Sequence, residues 1–360
     1  MKQPNLNPLL KKAEKLLADY SSFSISTKIP KEWLAQEEAD FDRKIRGAES
    51  IKNSLNKKIA QILEEKTGAS YDREGDVRIV FDFRGEKPTV STQFIPVFIF
   101  GRYKKLVPGL SQSRWICNSC NGAGCKKCDN KGKFYESVEE RIGDVVGKHF
   151  EATDYSMHAS GREDVDATNT AGRPFVIEIV EPKKRKADLK KIVKEIAKGA
   201  EVSVADLKIV PRSYVEVVTE SHFDKEYEAV VEFEKEVGRK ELKKIEALEG
   251  VVLSQRTPTR VSHRRADKVR ERKVLELKII KTLDSRPTEA GASVVHGTKR
   301  RSVGRMTFLI KAEAGTYIKE LISSDGKRTT PSFSEVLGFG AKCTGLAVTK
   351  IEDGFLDTVK

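Results

Sequence analysis

Gly161-Arg162-Glu163-Asp164-Val165-Asp166 and, shortly after it, Gly172-Arg173-Pro174-Phe175-Val176-Ile177-Glu178-Ile179 are the stretches on which the reading of this chain turns. The first sets three carboxylates and an arginine beside a glycine, a composition suited to a tight loop rather than to the interior of an element. The second opens with turn chemistry and passes into Phe-Val-Ile-Glu-Ile, which predicts a buried strand. A carboxylate on a loop feeding such a strand is held rigidly and still meets a substrate. Spacing alone also accommodates an ordinary acidic surface loop.

Composition narrows the setting. A chain of 360 residues suggests two or three domains with ample core, and 38% hydrophobic with 34% charged residues describes a highly charged surface. No apolar run approaches the roughly 20 residues that span a bilayer. Met1-Lys2-Gln3-Pro4-Asn5 leads into a Lys-rich amphipathic stretch without a secretory apolar region, so a cytoplasmic protein with no membrane partner is expected. The net charge of +13 favours a polyanionic partner, because neutralising phosphates releases counterions. Basic runs at Lys183-Lys184-Arg185-Lys186, at 264–273 and at Lys299-Arg300-Arg301 share the half of the chain that carries the acidic loop.

In chain order, Leu9, Leu10, Ala13, Leu16 and Leu17 mark one face of a first helix. Phe41, Ile45, Ala48, Ile51, Leu55, Ile59 and Ile62 keep steps of three and four, and predict a longer helix over 36–66. The period then changes: 77–83 and 94–103 read as strands around the turn Arg84-Gly85-Glu86-Lys87-Pro88. Beyond the acidic loop, 187–199 and 234–248 read as helices. Segments 202–218, 227–233, 274–283 and 306–312 read as strands. With no glycine-rich phosphate loop and no regular βαβ rhythm, the sheet is expected to be mixed or antiparallel.

Cys117-Asn118-Ser119-Cys120 and Cys125-Lys126-Lys127-Cys128 form two Cys-x-x-Cys knuckles four residues apart. Four thiolates surround one zinc tetrahedrally at about 2.3 Å, and such a closed site is structural. Gly122, Gly124, Asn130 and Gly132 supply the turns; a reducing compartment argues against disulfides. The short gap leaves open two metals or a metal shared between chains. Cys343 reads as a small buried hydrophobe.

The Gly-Arg-x-Asp pattern of Gly161–Asp164 resembles the catalytic loop of pseudouridine synthases, which implies that Asp164 is the aspartate reacting with uridine. Gly101-Arg102-Tyr103-Lys104-Lys105-Leu106-Val107-Pro108-Gly109, with Trp115-Ile116-Cys117 through Gly132, resembles the archaeal and eukaryotic synthases that act on the TΨC loop of tRNA. The implied fold class is α+β. A THUMP-like α/β tRNA-binding domain with a zinc knuckle would span 1–135, and a synthase catalytic domain on a mixed, mainly antiparallel sheet would span 136–360. Lys225-Glu226-Tyr227-Glu228-Ala229-Val230 resembles the segment of the active-site tyrosine, Tyr227. Ala314-Gly315-Thr316-Tyr317-Ile318-Lys319-Glu320-Leu321-Ile322 resembles the motif whose basic residue, Lys319, pairs with the aspartate. Cys343-Thr344-Gly345-Leu346-Ala347-Val348 resembles the last motif, whose leucine, Leu346, floors the site.

Two departures stand out. Family members often carry a further Cys-x-x-Cys near the N-terminus, where this chain has Ser22-Phe23-Ser24-Ile25-Ser26. They also commonly follow the aspartates with a hydrophobic and basic segment, where this chain has Ala167-Thr168-Asn169-Thr170-Ala171.

The roles implied are coherent. The target uracil is extruded from its loop, Tyr227 stacks on it, Lys319 stabilises ionised Asp164, and Leu346 and Ile318 exclude water. Arg256, Arg260, Arg264 and Arg265, with Arg162, are expected to meet RNA phosphates. The base is isomerised without loss, so structural zinc and no organic cofactor is expected, in a monomer acting on uridines 54 and 55 of tRNA. The alternatives are a non-catalytic tRNA-binding protein or chaperone and a zinc-knuckle RNA-binding module.

Overall fold

The computed structural model describes residues 6–35, 50–73, 75–263, 265–283, 304–354 and 356. Phe41, Ile45 and Ala48 of the expected long helix, Arg264 and the basic run Lys299-Arg300-Arg301 lie outside them. The chain divides into two compact units. The first comprises Met1–Ile99, Gly143–Ser156 and Ile177–Ile192, and the second Phe100–Ile142, Met157–Val176 and Val193–Lys360.

In the first unit, strands β1 (Ser22–Lys28), β2 (Ser70–Tyr71), β3 (Val77–Asp82) and β4 (Thr89–Phe94) form a sheet in the order β2-β1-β3-β4. β1 runs parallel to β2 and β3, and β4 antiparallel to β3. Helix Asn7–Leu17 buries Leu9, Leu10, Ala13 and Leu17, the face expected from their spacing. Helix Ile51–Thr67 starts where Ser50 Oγ accepts from the Asn53 N–H at 3.2 Å, and stops where Gly68 turns left-handed. Ile59 and Leu63 join Phe23, Ile25, Ile79 and Phe81 in one core, with Ile51, Leu55 and Ile62 packed at its edge. Ser22-Phe23-Ser24-Ile25-Ser26, noted above only for lacking cysteines, is thus a strand that supplies two core residues.

A second, large sheet is mixed, and most of its strand residues fall in the second unit. Its strands are β5 (Val97–Lys105), β6 (Asp154–Ala159), β7 (Thr168–Val180), β8 (Val202–Val210), β9 (Lys225–Phe233), β10 (Val252–Arg256), β11 (Val269–Leu283), β12 (Gly304–Ala312), β13 (Thr329–Thr330) and β14 (Ala341–Ile351). Their order is β13-β10-β11-β12-β9-β14-β7-β5-β8, with β6 on β7. β9 is antiparallel to both β12 and β14, whereas β14 meets β7 in parallel, giving the mixed, mainly antiparallel sheet of the expected α+β class. Phe233, Phe308 and Phe333 anchor its core, with ring centroids 6.2 and 5.2 Å apart.

One expected strand is cut short. Residues 202–218 form β8 only as far as Val210, and helix Ser213–Glu220 follows. Pro211 lacks the N–H that would continue the ladder, while its carbonyl accepts from Tyr214 at 3.0 Å. Tyr214 and Val218, four apart, then bury one helical face.

Candidate active site

Residues 160–167 join β6 to β7 and wall a cavity of about 630 Å³ within the second unit. Gly161 lies at φ +72°, and a Cβ there would stand 3.2 Å from Arg173 Nη1, so backbone and packing both call for glycine. From this point successive side chains part company.

Glu163 turns inward. Its Oε2 lies 2.7 Å from Arg173 Nε, and both side chains are 1% exposed. Tyr103 Oη donates to Glu163 Oε1 at 2.8 Å. Gln112 Nε2 donates at 2.9 Å to both Tyr103 Oη and the Gly161 carbonyl. Arg173 Nη1 donates to the Ser160 carbonyl at 2.7 Å. Beside this network the fully buried Lys105 donates to the carbonyls of Leu110, Val165 and Asp164 at 2.7, 2.8 and 3.0 Å. Burial pushes its ammonium down to about 8, against the pull of Glu163, Asp166 and Asp164. The loop is therefore fastened through its own carbonyls.

Asp164 turns to the cavity. Its Oδ1 lies 2.5 Å from Arg260 Nη1 and its Oδ2 3.4 Å from Lys319 Nζ. Lys319 stands closer to Asp166, at 2.6 and 2.8 Å. Burial works against ionisation of Asp166, yet its hydrogen bond to Lys319 leaves it below the ordinary carboxylate range. Arg260 is shared with the buried Glu320, Nε to Oε1 at 2.7 Å.

Local structure presents these cations. Arg260 sits in a 3₁₀ turn, Thr259–Val261, which Asp325 Oδ2 caps by accepting from the Thr259 N–H at 2.7 Å. Lys319 and Glu320 open helix Ile318–Ser323. Just before it, buried Gln255 of β10 clamps Tyr317, accepting from its N–H at 2.9 Å and donating to its carbonyl at 3.1 Å.

Tyr227 on β9 and Leu346 and Val348 on β14 line the same cavity, Tyr227 facing Val348 in register. Burial pushes the Tyr227 phenol up to about 12. Lys225, two residues earlier on the same face, donates to the Phe223 carbonyl at 2.7 Å; burial, then Arg173, brings its ammonium down to about 8.

The structure thus brings together Asp164, Tyr227, Lys319, Leu346 and Ile318, and adds Arg162, Arg260 and Arg265 to the lining. Arg256 is elsewhere: its Nη2 lies 2.5 Å from Asp267 Oδ2, with 54% of its side chain exposed. Arg260, expected on phosphates, is the nearer cation of Asp164.

Sequence reasoning gave no role to Glu163, Arg173, Tyr103, Lys105 or Glu320. A signal existed for some. Tyr103 and Lys105 fall on alternate positions of β5, the face opposite half-buried Arg102 and exposed Lys104, and Arg173 interrupts an apolar strand. The altered segment Ala167-Thr168-Asn169-Thr170-Ala171 enters β7, where buried Asn169 Nδ2 donates to the Tyr103 carbonyl at 3.4 Å.

The sulfur atoms of Cys117, Cys120, Cys125 and Cys128 all lie within 4.8 Å of one another. Three of the separations are 3.8 Å, close to the edge of a tetrahedron with metal–sulfur bonds of about 2.3 Å. Cys128 Sγ also accepts from the N–H groups of Cys125 and Gly132 at 3.3 and 3.2 Å, contacts that suit a metal-bound sulfur. The residues present fit a four-thiolate metal site.

The family model described as Pus10, C-terminal, matches residues 98–352. Relatives called tRNA pseudouridine synthase Pus10 match over most of their length. That of Archaeoglobus fulgidus is 40% identical over 339 residues, covering 92% of this chain and 87% of the relative. That of Methanothermobacter marburgensis is 40% identical over 348 residues, covering 94% and 81%. That of Korarchaeum cryptofilum is 38% identical over 308 residues, covering 84% and 77%. A model match over more than half of the sequence and relatives this similar make the chain a member of the Pus10 family.

Proposed function

We propose that this chain is a tRNA pseudouridine synthase that converts uridines 54 and 55 of the T loop to pseudouridine, with Asp164 as the reacting carboxylate. The observation that carries the reading is the placing of Asp164 at the wall of the cavity between two cations, in a chain whose Pus10 relatives bear that activity in their names. The same relatives weigh against the non-catalytic alternative.

In this reading the target nucleotide is extruded from its loop, at a cost of a few kcal/mol, and its base stacks on Tyr227. Arg260 and Lys319 compensate the charge of Asp164 while it engages the nucleotide. The N1–C1′ bond breaks, the uracil turns against Leu346 and Ile318, C5 bonds to C1′, and the proton lost from C5 is balanced by one gained at N1. Every atom of the base is kept, so no redox step arises and no organic cofactor is called for. Arg162 and Arg265 contact backbone phosphates at the cavity, and Arg256 contacts one outside it.

The four cysteines hold one structural zinc, a closed site that would stiffen the segment around it. Functionally, residues 1–135 form the THUMP-like tRNA-binding portion and 136–360 the catalytic portion. Compactness alone groups 100–142 with the second unit. The protein acts as a cytoplasmic monomer.

The test is incubation of wild-type protein with an unmodified tRNA transcript, followed by chemical labelling of pseudouridine and primer extension. Product at T-loop positions 54 and 55 is expected. Product confined to other positions would overturn the assignment of substrate site, and tight binding without product would restore the non-catalytic reading. Elemental analysis is expected to give one zinc per chain.

A further inference from the structure

Trp115 and Tyr135 line the cavity that holds Asp164, yet no step of the proposed reaction uses them. They form one corner with Phe134. The Trp115 ring centroid lies 5.4 Å from that of Tyr135 and 6.3 Å from that of Phe134. Two of these rings are open to solvent, Phe134 at 36% and Tyr135 at 41% exposure. An exposed aromatic on a cavity wall, Tyr135 with two further rings packed beside it, is an unusual use of large apolar side chains, which would gain more from a core position.

The corner is built, not incidental. Ile116 bridges Lys133 in antiparallel fashion, the Cys117 N–H donates to the Gly132 carbonyl at 2.9 Å, and the Phe134 N–H donates to the Trp115 carbonyl at 3.1 Å. This short stem has the cysteine cluster at one end and the aromatics at the other. Its base is fixed in turn: the Arg114 N–H donates to Glu139 Oε2 at 2.8 Å, and Lys133 Nζ to Glu140 Oε1 at 2.9 Å. The fold holds the rings side by side in a set orientation.

The chemistry of the surroundings selects the occupant. Arg162 and Arg265 line the same cavity, so its wall carries two guanidinium groups as well as the Trp115 and Tyr135 rings. A flat aromatic group carried on a polyanion is a nucleobase of unpaired RNA, and stacking on an aromatic side chain is the usual means of holding one.

We propose that Tyr135, backed by Trp115, is a stacking platform for an unpaired RNA base neighbouring the uridine that enters the cavity. This rests on the reading of the chain as a tRNA-modifying enzyme and adds a subsite to it. The platform fixes the register of the loop: one base stacked outside, the next presented to Asp164.

The experiment measures dissociation constants of wild type, Tyr135→Ala and Tyr135→Phe for a set of tRNA transcripts with single abasic sites stepped through the T loop. Single-turnover rates at saturating enzyme are measured beside them. Tyr135→Ala is expected to bind intact tRNA about 5- to 100-fold more weakly, and Tyr135→Phe, which keeps the ring, like wild type. One abasic position next to the target should weaken wild type by a similar factor and weaken Tyr135→Ala no further. The saturated rate of Tyr135→Phe should match wild type, because the ring that sets the register is kept. Matching thermal melts establish that both variants fold. Unchanged affinity in Tyr135→Ala, or abasic losses identical in the two proteins, would overturn the platform. Absence of product from wild type would overturn the proposed function, and the affinities would still decide the platform on their own.

Discussion

Glu163 and Asp164 are neighbours in sequence and opposites in setting. Glu163 is sealed with Arg173 at 1% exposure, while the Asp164 side chain is 25% exposed, between Arg260 and Lys319. The first pair has no solvent to share its charge and is satisfied by Tyr103 as well; it fastens the loop. The second is accessible, and its cations come from elements that the loop does not touch in sequence. Two carboxylates of one short motif are thus divided by burial between a sealed, structural setting and an open one on the cavity wall.

Breaking the sealed side should have the largest effect on stability. Arg173→Met leaves Glu163 buried without a cation and is expected to lower the unfolding free energy by about 3–5 kcal/mol, read from urea denaturation. A shift within experimental error would mean that water reaches Glu163 and that the contrast with Asp164 is false. Lys105→Met removes one donor from each of three carbonyls, of which those of Val165 and Asp164 keep the Gly109 and Ala167 N–H groups, and should cost about 1–3 kcal/mol. It should also slow single-turnover pseudouridine formation while leaving tRNA affinity nearly unchanged, which separates fastening of the loop from RNA binding.

A smaller effect tests the buried charge beside the loop. Lys225 has its ammonium lowered to about 8 from the ordinary 10.5 by burial and then by Arg173. Between those values the unfolded chain binds more protons than the folded one, so this group raises stability as pH rises from about 8 to 10.5. Lys225→Met should flatten that rise in urea midpoints measured across the window; an equally steep rise in the variant would assign it to another group. The smallest stability effect belongs to the solvated pair Arg256–Asp267. Arg256→Ala should leave the urea midpoint unmoved, weaken tRNA binding, and reduce the salt slope by about one.

The sequence made parts of this molecule plain and hid others for physical reasons. Helix Asn7–Leu17 and strands β3, β9 and β12 announce themselves through the period of their apolar residues, a local property. The loop bearing Asp164 was visible because glycine and clustered carboxylates fit few other settings. Helix Ser213–Glu220 was missed because Val215, Val217 and Val218 suit a strand by propensity, and Pro211 outweighs them. Which cation faces which carboxylate was not legible at all. Arg260 and Lys319 reach the loop from 96 and 153 residues away, and only the folded sheet decides that Lys319 sits nearer Asp166 than Asp164. Burial of Lys105 was hinted at by its strand position, but two of its three carbonyl partners depend on the path of a loop about 60 residues downstream.

The central claim is that Asp164, rather than Asp166 or Glu163, meets the substrate. The measurement that tests it most directly is the single-turnover rate of pseudouridine formation on a tRNA transcript by wild type, Asp164→Asn and Asp166→Asn, with tRNA affinity measured for each. Both substitutions keep side-chain shape. No detectable product is expected from Asp164→Asn at near-normal affinity, and retained turnover from Asp166→Asn. Product from Asp164→Asn at a rate within about tenfold of wild type, or loss confined to Asp166→Asn, would contradict the claim.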